Sequence, residues 1–568
     1  MNRDGFRTCL FLTGSFFIVW PAATLGLSVI GFALGVPLSR WQILSGFVLA
    51  AAFLIVGAVK LSPAAAKTVA ASSLGLVVVL TPAAAFAAEA FIDTSYDGRA
   101  YHQNTLIQMA TGWNPVARPL EPDGRSLDYE PLPRSPWTVH FPKSAETTAA
   151  AFVKATGRIE SGKAFNILLL YSAFALSLYA LLGFAGLRLR SALLFASLAA
   201  LNPVTICTLH SYYVDGQMAS LLTGLFALIL ALWREKGLWP LAVLGPALVL
   251  TINTKFPGLG YAFFLSGGLL AGFLILRQGR RLLAAGAVCL LSGIIGFGAV
   301  GYNPYITNWK HFGHPLHPAY GPRSFGEEDM KRFLSTPPNL ADKNRFEQFF
   351  ISLTSRSDYV PYPEPTRRKL PFTVTAGEVA SFGNTTIRAG GFGPLFGGIV
   401  LLLVPFAAVG FFLGGRRSLP HLGFVLLVAL TIAVNPQCWW ARLTPQAWLL
   451  PLIFLFFLSR LKPRRKAVRW GVAVLLVLTV MNLGLVLGSN TVQQTGRTLL
   501  LRRKLDRLAR ADRPILLVTG AFPSTRALLA ERGIRFQEVE ALPEGLKPHR
   551  LADGVLYARP NAPRRHDE

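Results

Sequence analysis

The sequence predicts an α-helical polytopic membrane protein of about thirteen transmembrane helices, with long loops on one side and a small C-terminal α/β unit. Of its 568 residues, 52% are hydrophobic and only 15% are charged, whereas roughly a quarter are charged in soluble proteins. The mean hydropathy is +0.43. Apolar stretches long enough to cross a bilayer of about 30 Å recur from the N-terminus to about residue 488. These features exclude a disordered chain and a set of water-soluble domains.

The basic charge is attributed to membrane orientation. Lys and Arg number 56 against 29 Asp and Glu, which gives a net charge of +27. Much of this charge lies in short loops between apolar stretches, where Lys and Arg favour the cytoplasmic side. No basic motif with interleaved aromatic residues is present, so nucleic-acid binding is not expected. The four cysteines form no CxxC pair and predict no disulfide framework.

The apolar stretches define the order of the predicted spans. They lie at about 10–33, 41–59, 67–89, 165–186, 191–209, 218–233, 239–253, 258–276, 282–301, 393–413, 419–435, 446–459 and 470–488. The first is expected to be an uncleaved helix, because no small-residue cleavage site follows it. The charge rule places the first long loop (about 91–161), the second long loop (about 302–391) and the tail on the side away from the cytoplasm.

Two domains are predicted. Residues 1–488 are expected to form a transmembrane domain, which carries the candidate site residues described below, and residues 489–568 a small extramembrane α/β domain. The tail contains a basic amphipathic helix at 498–510, a strand at 515–520, a helix at about 524–532 and strand-like segments near 535–539 and 554–558. This unit is expected to rest on lipid headgroups. The stretch 238–276 is read as two spans or a re-entrant element, and one miscounted span would move the tail to the other face.

The first long loop carries the candidate catalytic acids. Asp93 and Asp97 follow directly after a predicted span, and their four-residue spacing places both on one face if the turn is helical. A partly desolvated carboxylate is suited to accept a proton from a hydroxyl. The alternative is that both acids only cap and solubilise the start of the loop. Arg99, Tyr101 and His102 are candidates to orient the acids or to contact a phosphate.

Other candidate binding residues lie at the predicted ends of spans. His140 and Lys143 occur in HFPK, where an interfacial Lys is the simpler interpretation. Asp215, in SYYVDGQ, is either a functional acid or part of an Asp-Gly turn. Lys255, in TINTKFPG, requires an anionic partner at membrane depth, and a lipid phosphate would serve. Arg442 lies in a short outward connection against the charge rule, so phosphate binding is favoured.

No cofactor is expected. His311, His314 and His317 have a three-residue spacing, but two intervening prolines and a glycine make a ligand helix implausible, and no nearby acid or cysteine completes a set. A divalent cation is therefore unsupported. No Walker loop, HExxH motif or strand-associated GxGxxG motif is present.

Three segments resemble the GT-C superfamily of membrane glycosyltransferases. DTSYDGRAY through ATGWNP (93–115) looks like the first catalytic loop of the bacterial branch that includes protein O-mannosyltransferases and lipid A aminoarabinose transferases. TNWKHFGHPLHP (307–318) and WWARLTPQ (439–446) are similar to later segments of the same group. Asp97 occupies the place of the acid best matched to the base. The acidic pair is DxxxD rather than adjacent Asp-Glu, which leaves the choice between Asp93 and Asp97 open.

The resemblance implies direct displacement with inversion at the periplasmic face of a bacterial inner membrane. The donor would be a polyprenyl-phosphate-linked sugar and the acceptor a glycan, lipid or protein hydroxyl, with membrane lipids as further partners. Arg442 and Lys255, with Lys143 or Arg99, would hold the departing phosphate. Two alternatives remain. One is a polymerase or ligase that uses lipid-diphosphate-linked glycans, for which Arg323, Lys331 and Arg332 of the second long loop are the candidate residues. The other is a non-enzymatic transporter of lipid-linked glycans.

Overall fold

The computed structural model describes residues 3–120, 135–235, 237–360, 363–461 and 466–559, and it is mostly helical. The α-helices of the first half are Arg3–Ala33, Arg40–Leu61, Ala66–Glu89, Gln103–Ala110, Pro136–His140, Ser144–Thr156, Ala164–Leu182, Leu189–Ala200, Pro203–Thr208, Asp215–Arg234, Trp239–Thr254, Pro257–Ile275 and Gly279–Ile294. Those of the second half are Thr307–Phe312, Glu327–Leu334, Pro338–Ala341, Arg345–Leu353, Ala376–Ser381, Phe396–Gly414, Leu419–Ala433, Leu449–Leu461, Lys466–Ala509 and Thr525–Glu531.

Among the described residues, eight helical segments are long and apolar enough to cross a membrane. They are Arg3–Ala33, Arg40–Leu61, Pro63–Glu89, Ile159–Leu182, Asp215–Arg234, Pro257–Ile275, Gly279–Val300 and Val468–Ala509. Five shorter apolar helices lie at other predicted spans: Leu189–Ala200, Trp239–Thr254, Phe396–Phe412, Leu419–Ala433 and Pro445–Leu461. The chain therefore has the helices of a helical membrane protein, while the count of thirteen spans stays a prediction.

Proline divides two of the apolar regions. The predicted span at 191–209 ends as a helix at Ala200, and Asn202 then caps the short helix Pro203–Thr208 by accepting the Val204 N–H at 2.9 Å. In the region 238–276, the chain leaves one helix at Thr254 and enters the next at Pro257. Such breaks leave unpaired backbone groups at the helix ends, which is tolerated where protein or a cavity surrounds them.

The last long helix is continuous from Lys466 to Ala509, although the sequence predicts a span ending near 488 and a separate amphipathic helix at 498–510. The polar stretch between them stays helical because its side chains bind carbonyl groups of the second long loop. Asn490 Nδ2 donates to the Phe382 oxygen at 2.9 Å, and Gln494 Nε2 donates to the Gly383 oxygen at 3.0 Å. The second long loop therefore lies against this helix.

The C-terminal unit is a four-stranded sheet with one helix. Strand β1 (Ile515–Val518) pairs in parallel with β2 (Phe536–Glu538) and antiparallel with β4 (Val555–Ala558), and β3 (His549–Ala552) extends the sheet beside β4. The sequence predicts each element except β3. Its core includes Ile515, Leu517, Leu529 and Val555, together with Ile92 of the first long loop and Leu501, Leu505 and Leu508 of the last long helix. The unit is thus packed on the first long loop.

Candidate active site

A cavity of about 1430 Å³ lies where both long loops, several helix ends and the C-terminal unit meet. Six of the ten predicted site residues line it: Asp97, Arg99, Tyr101, His102, Lys255 and Arg442. The other four, Asp93, His140, Lys143 and Asp215, are not on its wall. The cavity therefore collects residues that are far apart in the sequence.

Asp97 and Asp93 have different surroundings because residues 92–95 are not helical. Asp97 lines the cavity and precedes a π-helical turn, Gly98–His102. The Asp93 carboxylate accepts the Ser95 N–H at 2.8 Å and the Tyr212 N–H at 2.7 Å. A Cβ atom at Gly98 would lie 2.2 Å from Asp93 Oδ2, so this position requires glycine. Asp93 thus ties the loop together, while Asp97 faces the space where a ligand could bind.

Two ion pairs at the cavity join segments that are far apart in the sequence. Arg442 Nη1 lies 3.1 Å from Asp97 Oδ2, and Lys255 Nζ lies 2.7 Å from Asp215 Oδ1. The guanidinium carbon of Arg442 lies 5.1 Å from the ring centroid of Tyr213 and 4.5 Å from that of Trp440. Burial lowers the pKa of Arg442, but the carboxylates of Asp215 and Asp97 outweigh this and raise it above its usual value. Arg442 is therefore a permanent cation held in a fixed orientation.

Arg99 connects the first long loop to the C-terminal unit. Its Nη2 donates to the Asp553 carbonyl oxygen at 3.0 Å, and its guanidinium carbon lies 4.1 Å from the ring centroid of Phe522. The Ser524 hydroxyl donates to the Arg99 carbonyl oxygen at 2.7 Å. Burial lowers the pKa of the Arg99 guanidinium. The C-terminal unit, which the sequence places on lipid headgroups, also forms one wall of the cavity through residues 520–523.

Substitution of Phe522 with alanine is expected to loosen this connection. The ring is only 5% exposed, and truncation of a buried Phe costs about 3–5 kcal/mol. Amide hydrogen exchange at residues 96–102 should therefore become faster in the Phe522→Ala protein. Leu556→Ala is the matched control, since Leu556 is an exposed residue of strand β4 in the same C-terminal unit. Equal protection of residues 96–102 in both variants would contradict the connection.

His140 and Lys143 join the two long loops away from the cavity wall. His140 Nδ1 and Asn308 Oδ1 are 2.9 Å apart, and burial lowers the pKa of His140 to about 4. Lys143 Nζ donates to Asn303 Oδ1 at 2.7 Å and to two carbonyl oxygens of its own segment. Burial also lowers the pKa of Lys143 to about 7. The three hydrogen bonds of Lys143 occupy all three hydrogens of its protonated amine.

The clustered histidines are accounted for by local contacts. The His317 ring stacks on Phe312 at 4.0 Å, and His314 Nδ1 accepts the Leu316 N–H at 3.1 Å. Within the described ranges, no three His, Cys, Asp or Glu residues are placed to hold a metal ion.

The wall residues that the sequence analysis did not identify as functional candidates include Asn104, Trp137, Glu146, Tyr213 and Trp440. Glu146 Oε1 lies 2.5 Å from His102 Nδ1, and both side chains are buried. Its only sequence signal was a position three residues after Lys143, in the first turn of a helix. Tyr213 and Trp440 were present in the quoted motifs, but their position beside Arg442 depends on the fold.

The cavity combines a carboxylate and fixed cations with an apolar side that reaches the surface of a candidate membrane helix. Phe263, in Pro257–Ile275, lines the cavity and is 73% exposed. Comparison with models of known protein families finds no family that the chain matches, and comparison with functionally characterised proteins finds none with significant similarity. The chemistry of the site is therefore the basis for assigning a function.

Proposed function

We propose that this protein is a membrane glycosyltransferase of the GT-C type, which transfers a sugar from a polyprenyl-phosphate donor to an acceptor hydroxyl. The proposal rests above all on one observation. Asp97, Lys255 and Arg442 come from three distant segments and line a single cavity. A base and two cations are the groups that such a transfer requires. The proposed setting is the periplasmic face of a bacterial inner membrane.

The proposed step is a single displacement. Asp97 accepts the proton of the acceptor hydroxyl while its oxygen attacks the anomeric carbon. The bond between that carbon and the phosphate oxygen breaks, and its electron pair leaves with the polyprenyl phosphate. Arg442 and Lys255 stabilise the additional negative charge. A phosphate leaves without protonation, so one base is sufficient and the configuration inverts.

The ion pairs explain how these partly buried cations are accommodated before the donor binds. Arg442 is paired with Asp97, and Lys255 is paired with Asp215. Partial burial still makes an unpaired charge unfavourable, so a carboxylate stabilises each cation in the absence of a phosphate. A donor phosphate would share these cations and weaken the pairing of Arg442 with Asp97, which would free the Asp97 carboxylate to act as a base.

The apolar side of the cavity suits a prenyl chain. Leu259, Phe263 and Phe264 line it along the helix Pro257–Ile275, which is long and apolar enough to cross a membrane. An isoprenoid attached to a phosphate at Arg442 and Lys255 could extend along this helix into lipid. A soluble nucleotide-linked donor would have no use for this exposed apolar surface.

The decisive experiment is transfer from synthetic donors by the purified protein in lipid nanodiscs. A panel of radiolabelled hexoses and pentoses would be supplied on undecaprenyl monophosphate and on undecaprenyl diphosphate, with cell-envelope glycans, lipids and proteins as acceptors. We expect label to move to an acceptor from a monophosphate donor only. Transfer solely from diphosphate donors would favour the polymerase or ligase. Movement of intact donor across a bilayer, without covalent transfer, would favour the transporter.

A further inference from the structure

A second cluster of polar side chains lines the cavity, outside the group formed by Asp97, Lys255 and Arg442. It consists of His102, Asn104 and Glu146, which are 6%, 1% and 5% exposed. His102 Nδ1 lies 2.5 Å from Glu146 Oε1. Within the described part of the chain, Glu146 Oε2 and Asn104 Oδ1 are buried and have no hydrogen-bond partner. A buried acceptor without a partner costs about 1–3 kcal/mol, and a ligand in the cavity could supply donors to these two oxygens.

The cluster is rich in hydrogen-bond acceptors. In a neutral imidazole, a carboxylate beside Nδ1 holds the hydrogen on that nitrogen, and Nε2 is then an acceptor. The carboxylate oxygen of Glu146 and the amide oxygen of Asn104 are acceptors as well. Such a set matches a ligand that presents several O–H groups.

An aromatic surface accompanies these acceptors on the cavity wall. The rings of Tyr101 and Trp137 are stacked, with centroids 5.8 Å apart and planes inclined by 29°. Both residues line the cavity. A sugar ring presents hydroxyl groups at its edge and C–H groups on its faces. Acceptors beside an aromatic face therefore suit a polyhydroxylated ring better than they suit a phosphate or a hydrocarbon chain.

We infer that His102, Asn104 and Glu146 bind the hydroxyl groups of the donor's sugar. This inference rests on the proposed function and divides the cavity into two parts. Arg442 and Lys255 bind the phosphate, whereas the cluster of His102, Asn104 and Glu146 binds the sugar ring and sets the preference among sugars. Glu146 orients the His102 ring and also offers its own unpartnered oxygen.

The inference is tested by comparing two lipids that differ only in the sugar. Binding of undecaprenyl phosphate and of undecaprenyl-phosphate hexoses and pentoses would be measured by native mass spectrometry of the full chain in nanodiscs. We expect the wild type to bind at least one sugar-bearing lipid more tightly than undecaprenyl phosphate. Glu146→Gln should reduce this additional affinity by about tenfold or more, with binding of undecaprenyl phosphate unchanged within about twofold.

Gln108→Leu is the matched control for disturbance of the fold. Gln108 lies on the same helix as Asn104, is fully buried and does not line the cavity, and among the described residues both of its amide atoms lack a partner. The Gln108→Leu variant should have unchanged affinity for both lipids. An equal loss of affinity for both lipids in Glu146→Gln would overturn the inference. So would a wild type that binds no sugar-bearing lipid more tightly than undecaprenyl phosphate. Arg442→Ala tests the proposed function separately, since it should weaken the binding of both lipids equally.

Discussion

Asp97→Asn is expected to lower the rate of sugar transfer by about 10²–10⁴-fold, the usual contribution of a positioned general base. The amide keeps the size of the side chain but cannot accept the hydroxyl proton. The side chain is one-fifth exposed and loses only one ion pair, with Arg442. The variant should therefore remain folded, as judged by gel filtration and by its thermal unfolding midpoint. Single-turnover transfer measured with excess protein gives the rate of the chemical step directly.

Asp93→Asn is the control, and we expect the opposite pattern. Its two carboxylate oxygens each accept a backbone N–H, and an amide has only one oxygen to offer. One buried N–H would lose its partner, which costs about 1–3 kcal/mol. The yield and the unfolding temperature should fall, while transfer per folded molecule stays within a few-fold of wild type. A folded but inactive Asp93→Asn protein, together with an active Asp97→Asn protein, would reverse the assignment.

The sequence predicts the apolar helices well because apolar length alone determines them, whereas the short helices of the two long loops were not predicted. Thirteen apolar helices occur in the described structure in the predicted order, and eight of them are long enough to meet the criterion for a span. Two elements differ from the prediction: the span at 191–209 ends as a helix at Ala200, and the helix Lys466–Ala509 is continuous although its polar middle suggested a break. The middle of Lys466–Ala509 is helical because it forms hydrogen bonds to carbonyls of the second long loop, and such contacts between distant segments leave no periodic signal.

The cavity was predicted only in part, for a similar reason. Charged residues at helix ends stand out in an apolar sequence, so Asp97, Lys255 and Arg442 could be identified one by one. Their spacing could not show that Asp93 binds backbone N–H groups, because that requires residues 92–95 to be non-helical. Nor could it show that Arg99 contacts Phe522, or that Glu146 binds His102. Apart from the hydrogen bond between Ser95 and Asp93, which is local, these contacts depend on how segments far apart in the chain pack together.

Substitution of Arg442 has the second large expected effect. Arg442→Ala should lower kcat/KM for sugar transfer by about 10²–10³-fold, as expected for loss of one group that stabilises the departing charge. Arg442→Lys should recover only a small part of this loss. A lysine retains the charge, but it cannot bind two phosphate oxygens in a planar arrangement or stack between Tyr213 and Trp440. Steady-state kinetics with a monophosphate donor would measure both variants.

The control separates this role from a general need for positive charge. Arg323, in the second long loop, donates to the His311 carbonyl oxygen at 3.1 Å and does not line the cavity. Arg323→Ala should therefore transfer sugar at the wild-type rate. An enzyme that held a diphosphate with arginines of the second long loop would show the opposite result, with Arg323→Ala impaired and Arg442→Ala active. Because Arg442 contacts Asp97 directly, the double variant Asp97→Asn/Arg442→Ala should lose less activity than the product of the single losses.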